Sequence, residues 1–177
     1  VSLSKGASAV ELMNAAGYDA MCLGNHEFDF GQEVLLTNAE AAEFPMLSAN
    51  VVRKDSGDAL LAGVGACGDG ATAVLECAGR HIGVFGITTA STSHSTSPAN
   101  VEGLQFEDEA EAARRCIADL AAQGVDAIVA LCHLGDGPVS CRAVDLAAEL
   151  EPEEAAKLCA IVDGHSHTVE NIEVNGV

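Results

Sequence analysis

Gly24-Asn25-His26-Glu27-Phe28-Asp29-Phe30-Gly31 is the stretch around which the rest of the chain is organised. It follows an apolar run at 18–23 that has the length of a strand, and Gly17 before that run is typical of a helix end. A glycine turn after a buried strand places polar side chains at the carboxyl edge of a sheet, where ligands bind in open α/β folds. The sequence therefore predicts a candidate site at this turn.

Three side chains in the turn have chemistry that suits a reaction centre. Asn25 offers an amide oxygen to a divalent metal, His26 offers a proton donor, and Asp29 is close enough in sequence to orient His26. The alternative is a polar turn with a capping aspartate and no catalytic role. If this turn stood alone in the sequence, that alternative would be favoured.

Two further apolar runs end in the same way. Residues 125–132 lead into His133-Leu134-Gly135, and residues 159–163 lead into Gly164-His165-Ser166-His167-Thr168. Three strands that each deliver His or Asn at the carboxyl end predict that these side chains converge. Such ligands with open positions describe a catalytic metal site better than a closed structural one.

The three motifs, in this order, resemble the calcineurin-like metallophosphoesterase domain of the 5'-nucleotidase family. Residues 44–51 and 82–89 are also similar to members of that family, so the resemblance covers nearly all 177 residues. It implies a layered α/β sheet sandwich flanked by helices, and two divalent metal ions such as zinc or manganese. It further implies that Asn25, His133 and His165 hold one metal and that His167 holds the other. His26 is then the general acid or transition-state stabiliser, oriented by Asp29.

The sequence departs from the family pattern in one respect. An Asp-x-His and a Gly-Asp motif, which supply further metal ligands in the family, are not found before Gly24, and the family's C-terminal nucleotide-binding domain is not found either. We therefore expect residues 1–177 to be one partial catalytic domain, truncated at both ends and inactive alone.

The resemblance implies hydrolysis of phosphate esters, with 5'-nucleotides or nucleotide sugars as the leading substrates. The alternatives are a cyclic-nucleotide phosphodiesterase, a nuclease or a sulfur-ester hydrolase of the same family, or a surface binding domain without activity. An extracytoplasmic location (periplasmic, secreted or cell-surface) is also implied by the resemblance alone.

Composition narrows the range of partners. The formal charge of −19 disfavours binding to the backbone of duplex DNA or RNA. No apolar run has transmembrane length. The seven cysteines match no zinc-module spacing, and those in apolar patterns are predicted to be core residues: Cys22, Cys116, Cys132 and Cys159.

Alternating helix and strand patterns predict a layered α/β fold. Helices are expected at 4–16, 32–43, 108–122, 143–150 and 153–158. Strands are expected at 18–23, 45–52, 73–77, 81–88, 125–132, 159–163 and 169–174, with loops at 55–71 and 90–99. The core faces are predicted to carry Ala9, Met13 and Ala16 in the first helix, and Ala113, Cys116, Ile117 and Leu120 in the third.

Smaller expectations concern the residues around the site. His165 and His167 lie two apart, so they would point the same way on an extended strand, but a solvated turn could carry them equally well. Asp163 and Asp136 are predicted to fix the tautomer of a ligating imidazole, and Glu27 and Ser166 to shape the loops. His81 and His94 are assigned no role.

Overall fold

The computed structural model describes residues 3–137 and 141–177, which form a mixed α/β structure. The helices are α1 (Ala7–Ala16), α2 (Gln32–Ala41), α3 (Thr92–Ser95), α4 (Glu109–Ala122), α5 (Ala143–Glu149) and α6 (Pro152–Ala155), with 3-10 helices at Asn25–Phe28 and Pro98–Val101. The strands are β1 (Met21–Cys22), β2 (Met46–Leu47), β3 (Val51–Arg53), β4 (Thr72–Cys77), β5 (Arg80–Thr88), β6 (Leu104–Phe106), β7 (Ala127–His133) and β8 (Leu158–Val162).

A four-stranded sheet with the order β4-β5-β7-β8 forms the centre of the fold. Strands β5, β7 and β8 are parallel, while β4 pairs with β5 as an antiparallel hairpin. The parallel pair β1-β2 packs against β5, and β3 pairs with β6 antiparallel. Because β5, β7 and β8 run in one direction, their carboxyl ends share one edge of the sheet.

Two apolar clusters hold these layers together. One lies between the four-stranded sheet and helices α4 to α6, and includes Phe85, Ile117 and Leu120. The other surrounds α2 and the β1-β2 pair, and includes Phe28 and Phe44. The layered α/β fold is thus confirmed. Its main source of stability is the burial of large apolar side chains, each of which contributes about 1.5–3 kcal/mol to the free energy of folding.

The strongest local patterns are confirmed. Helix α4 begins at the N-cap Asp108, whose carboxylate accepts a hydrogen bond from the Glu111 N–H at 2.9 Å. All four side chains predicted for its core face are buried. Gly17 ends α1 in the left-handed conformation, as predicted.

Other expectations about secondary structure were wrong. The single strand expected at 45–52 is two short strands. Between them, the backbone N–H groups of Ser48 and Ala49 donate hydrogen bonds to the carbonyls of Gly70 and Gly86. The strand expected at 169–174 does not form. The loop expected at 90–99 contains α3, and its Thr92 is buried.

Burial also departs from the predictions at single residues. In α1 the buried residue is Val10, while Ala16 of the expected stripe is exposed, so the helix packs through a narrower face. Cys159 is exposed because a register irregularity in the β7-β8 pair leaves it as an extra residue. Cys116 and Cys132 are buried as predicted, Cys22 is partly buried, and all seven cysteines are free.

The described helices include none with both the length and the apolar character that crossing a bilayer demands.

Candidate metal centre

Three strand ends bring three potential ligand atoms together. Asn25 opens the 3-10 helix that follows β1, His133 is the last residue of β7, and His165 follows β8. The Asn25 Oδ1 atom lies 3.1 Å from His133 Nε2 and 3.1 Å from His165 Nδ1. The two ring nitrogens are themselves 3.1 Å apart. The convergence that the sequence predicted for these three side chains is therefore present, and we call them the donor triangle.

The donor triangle fits a divalent cation. Ligand atoms that are each about 2.1 Å from one ion, at octahedral or tetrahedral angles, are about 3.0–3.4 Å from one another. An amide oxygen and two imidazole nitrogens are suitable ligands for zinc and similar ions. The described residues include no group of three or more His, Cys, Asp and Glu side chains able to hold a metal. The triangle contains two side chains of these types, His133 and His165, and its third donor is the neutral amide oxygen of Asn25.

The environment of His133 favours the neutral ring that a metal ligand needs. Burial lowers the pKa of His133, and electrostatic repulsion from the neighbouring His165 ring lowers it further, while Asp163 opposes these effects. Smaller contributions in the same direction come from His26 and His167. A neutral imidazole keeps a lone pair available near neutral pH.

Gly24 and Glu27 shape the loop beneath the triangle. The Glu27 carboxylate accepts a hydrogen bond from the Gly24 N–H at 2.6 Å, and burial raises the pKa of Glu27. A Cβ atom at Gly24 would lie 2.9 Å from both Cε1 and Nε2 of His133. Glycine is therefore needed here because the His133 ring packs directly on its backbone. The prediction that Glu27 shapes the loop agrees with this contact.

His26 and Asp29 form the predicted pair beside the triangle. The Nδ1 atom of His26 lies 2.9 Å from Asp29 Oδ2, and the His26 side chain is 78% exposed. Asn100 donates a hydrogen bond from its amide to the Asp29 carbonyl at 3.1 Å, which anchors the loop to the segment after α3. The pair leaves the His26 Nε2 atom without a partner in the described part of the chain.

His167 stands outside the triangle. It is exposed and makes no hydrogen bond within the described residues. Both His165 and His167 have positive φ values, 84° and 58°, so of the two alternatives it is the turn, not the extended strand, that carries them. Strand β8 ends at Val162, before either histidine, and the chain bends at residues 165 and 166.

The expected role of two nearby aspartates was also wrong, because neither carboxylate bonds an imidazole. Asp163 accepts hydrogen bonds from the backbone N–H groups of Leu134 and Gly135. Asp136 accepts from the Thr168 hydroxyl at 3.0 Å, and hydrogen bonds from Ser166 and Thr168 hold the pKa of Asp136 below its usual value. Ser166 thus helps to shape the loop, as expected.

Sequence reasoning missed a buried polar network behind the triangle. The Asn50 side chain bonds both the N–H and the carbonyl of Thr88, at 2.9 and 2.7 Å. The Thr88 hydroxyl donates to the Leu23 carbonyl at 2.9 Å, so the Ser48 hydroxyl, 2.7 Å away, donates to Thr88. Thr88 is paired with His133 in the sheet. The network therefore fixes the ends of β1 and β5 beside the end of β7; polar residues at 48, 50 and 88 inside apolar segments were the available signal.

Two cysteines lie close in sequence to residues of the donor triangle. Burial raises the pKa of Cys22 to about 12 and that of Cys132 well above its usual value. Both therefore remain protonated thiols at neutral pH and behave as core residues.

Comparison with known proteins relates the chain to phosphoesterases. No protein-family model matches the chain. The chain is 37% identical over 158 residues to a 5'-nucleotidase of Vibrio cholerae. The aligned region covers 87% of this chain and 27% of the relative. The chain thus spans about a quarter of the length of this curated relative.

Two solved structures share the fold. The 5'-nucleotidase precursor of Thermus thermophilus matches with a TM-score of 0.74 and 34% identity, over 93% of this chain and 29% of that one. The calcineurin-like phosphoesterase YfkN of Bacillus subtilis matches with a TM-score of 0.71 and 29% identity, over 90% of this chain and 48% of that one.

Proposed function

Because the chain belongs to the 5'-nucleotidase family of calcineurin-like metallophosphoesterases, we propose that it forms part of an enzyme that hydrolyses phosphate esters of nucleotides. Nucleoside 5'-monophosphates and nucleotide sugars are the proposed substrates. The observation that carries the proposal is the donor triangle, in which three strand ends bring three ligand atoms within 3.1 Å of one another.

The family is metal-dependent, and the residues present fit one ion well. Asn25, His133 and His165 would hold one divalent cation, with zinc or manganese as the proposed metal. Exposed His167 is proposed as a ligand of a second cation. When bound, such ions polarise phosphoryl oxygens and lower the pKa of a water that attacks phosphorus.

The chain's own residues have separate tasks in this proposal. His26 lies beside the triangle, not within it, and its Nδ1 is held by Asp29 at 2.9 Å. The protonated ring can then donate from Nε2 to the leaving oxygen, while Asp29 fixes its orientation and stabilises its charge. Asn25, which is neutral, adds a ligand without adding charge to a site that must also receive an anionic phosphate.

The setting of the enzyme is proposed on the same grounds. An extracytoplasmic location and a C-terminal nucleotide-binding domain in the full protein follow from the family resemblance. The matched Thermus thermophilus protein is described as a precursor.

The test uses two forms of the protein. Residues 1–177 alone are expected to bind Mn²⁺ weakly and to give no measurable turnover, since no carboxylate joins the two imidazoles among the described residues. A chimera in which this chain replaces the matching segment of the curated relative is expected to hydrolyse a nucleoside monophosphate. An inactive but folded and metal-loaded chimera would count against the proposal.

Variants of the chimera separate ligation from proton transfer. His26→Ala should lower turnover about 10²–10⁴-fold while metal content is retained, because His26 acts on the leaving group. Asn25→Ala should lower metal content as well. His94→Ala, at an exposed histidine of α3, is the matched control and should change neither. Loss of metal from His26→Ala, with metal kept by Asn25→Ala, would reverse the two assignments.

A further inference from the structure

Asp163 lies between the two loops that carry the histidines of the donor triangle. Strands β7 and β8 are parallel neighbours, with Leu131 opposite Val162. Asp163 directly follows β8 and therefore lies beside the point where β7 ends at His133. The irregularity that leaves Cys159 unpaired sets this register, because it shifts the rest of β8 by one residue.

Both oxygens of Asp163 accept backbone hydrogen bonds from the turn after His133. Oδ1 accepts from the Leu134 N–H at 2.7 Å, and Oδ2 accepts from the Gly135 N–H at 2.9 Å. These N–H groups lie beyond the end of β7, so the strand ladder does not satisfy them. Hydrogen bonds to a charged acceptor are roughly twice as strong as neutral ones. The turn after His133 is thus attached to the end of β8.

The same turn backs the other imidazole. Gly135 has a φ of 73°, and a Cβ atom there would lie 2.9 Å from Cδ2 of His165. The backbone at Gly135 therefore packs against the His165 ring. His165 has a φ of 84°, a conformation that residues with a side chain rarely adopt without support from their surroundings. The turn held by Asp163 provides such support.

We propose that Asp163 is a positioning residue that holds His133 and His165 at the spacing a cation requires. The inference rests on the proposed function, because it gives Asp163 its role through the metal ligands. Two N–H donors need two acceptors. Aspartate supplies both, whereas asparagine supplies one and turns an amide N–H group toward the other donor.

The experiment measures Co²⁺ binding by residues 1–177, through the absorption of the bound ion and by calorimetry. Asp163→Ala should weaken binding about 10–100-fold, as loss of a residue that orients metal ligands does. Asp163→Asn keeps one acceptor and should give an intermediate loss. In the metal-free protein, amide hydrogen exchange at Leu134 and Gly135 should become faster in both variants.

Asp126→Ala is the matched control. Asp126 also uses both carboxylate oxygens to join neighbouring strands, but at the opposite end of β7. Asp163 is exposed, so its replacement leaves the apolar core intact, and a thermal melt checks this. Asp126→Ala should lower the melting temperature without changing Co²⁺ affinity by more than about twofold.

The outcomes separate this inference from the proposed function. Failure of the wild-type chain to bind Co²⁺ would overturn the positioning role, while the activity of the chimera tests the proposed function separately. Wild-type binding that Asp163→Ala leaves unchanged would overturn the positioning role alone, as would an equal loss in Asp126→Ala. A graded loss through Asn and Ala, with faster exchange at the two amides, would support it.

Discussion

The two ends of β7 use the same side chain in different surroundings. At the amino end, Asp126 accepts hydrogen bonds from the His81 N–H at 2.8 Å and from the Arg80 guanidinium at 2.9 Å. At the carboxyl end, Asp163 accepts from two backbone N–H groups, and no Lys or Arg of the described residues forms an ion pair with it. The first carboxylate is neutralised within the fold, and the second is not.

This difference shows why the site lies where it does. At the amino end the carboxylate of Asp126 is already paired with a cation and hydrogen-bonded, so this end stabilises the fold and this carboxylate is not free for a ligand. The carboxyl end combines an unneutralised carboxylate with the donor triangle, whose three donor atoms lie 3.1 Å from one another. A cation at that point would satisfy both, as expected for the carboxyl edge of a parallel sheet.

The largest expected effect separates the histidines at the two ends of the sheet. His133→Ala removes one donor of the triangle and should weaken Mn²⁺ binding by residues 1–177 at least about 100-fold, more than loss of an orienting residue. His81→Ala, near the amino end of β5 and exposed, should change the affinity less than about twofold. Calorimetric titration of both variants measures this. Equal losses would show that the cation does not bind at the triangle.

A smaller effect is expected at two glycines that touch the imidazoles. Gly24→Ala places a methyl group 2.9 Å from the His133 ring, and Gly135→Ala places one 2.9 Å from the His165 ring. Each should displace its ring and weaken Mn²⁺ binding about tenfold, the lower end of the range for altered ligand support.

Gly79→Ala tests whether that loss comes from the rings or from backbone strain. Gly79 has a φ of 75°, similar to Gly135, but a Cβ atom there meets nothing within 4 Å. It lies in the hairpin turn at the amino end of β5. The variant should lose stability without losing affinity for Mn²⁺. An affinity loss in Gly79→Ala equal to that in Gly135→Ala would assign the effect to general destabilisation.

Sequence patterns predicted the features that local chemistry determines. Helix α4 has a capping aspartate and a regular apolar face, so its start and buried side were predicted correctly. Asn25, His133 and His165 were recognisable because each follows an apolar run, and parallel strands bring such positions together.

Features that depend on tertiary bonds were not predicted. The strand expected at 45–52 is interrupted because Ser48 and Asn50 bond Thr88, a partner some forty positions away in the chain. Segment 169–174 has the pattern of a strand, but Thr168 is bonded to Asp136 and Asn175 to the Ala147 carbonyl. Both residues that flank the segment thus bond groups outside the strands. The roles of Asp163 and Gly135 likewise depend on a register irregularity that no local pattern indicates.

The smallest expected effect concerns the amino end of β7, where Asp126→Asn should alter stability and its pH dependence but not metal binding. The His81 N–H and the Arg80 guanidinium hold the pKa of Asp126 below its usual range. A carboxyl whose pKa is lowered by folding adds stability above its unfolded value of about 3.9, and that stability is lost as the pH falls through the folded pKa.

The variant should therefore melt a few degrees lower than the wild type at pH 7, since a partly exposed ion pair contributes little. The difference should shrink below about pH 4, where the wild-type carboxylate becomes protonated as well. Thermal melts at several pH values, with and without Mn²⁺, measure both quantities. A difference that persists unchanged at pH 3, or that appears only when Mn²⁺ is present, would mean that the two ends of β7 are not independent.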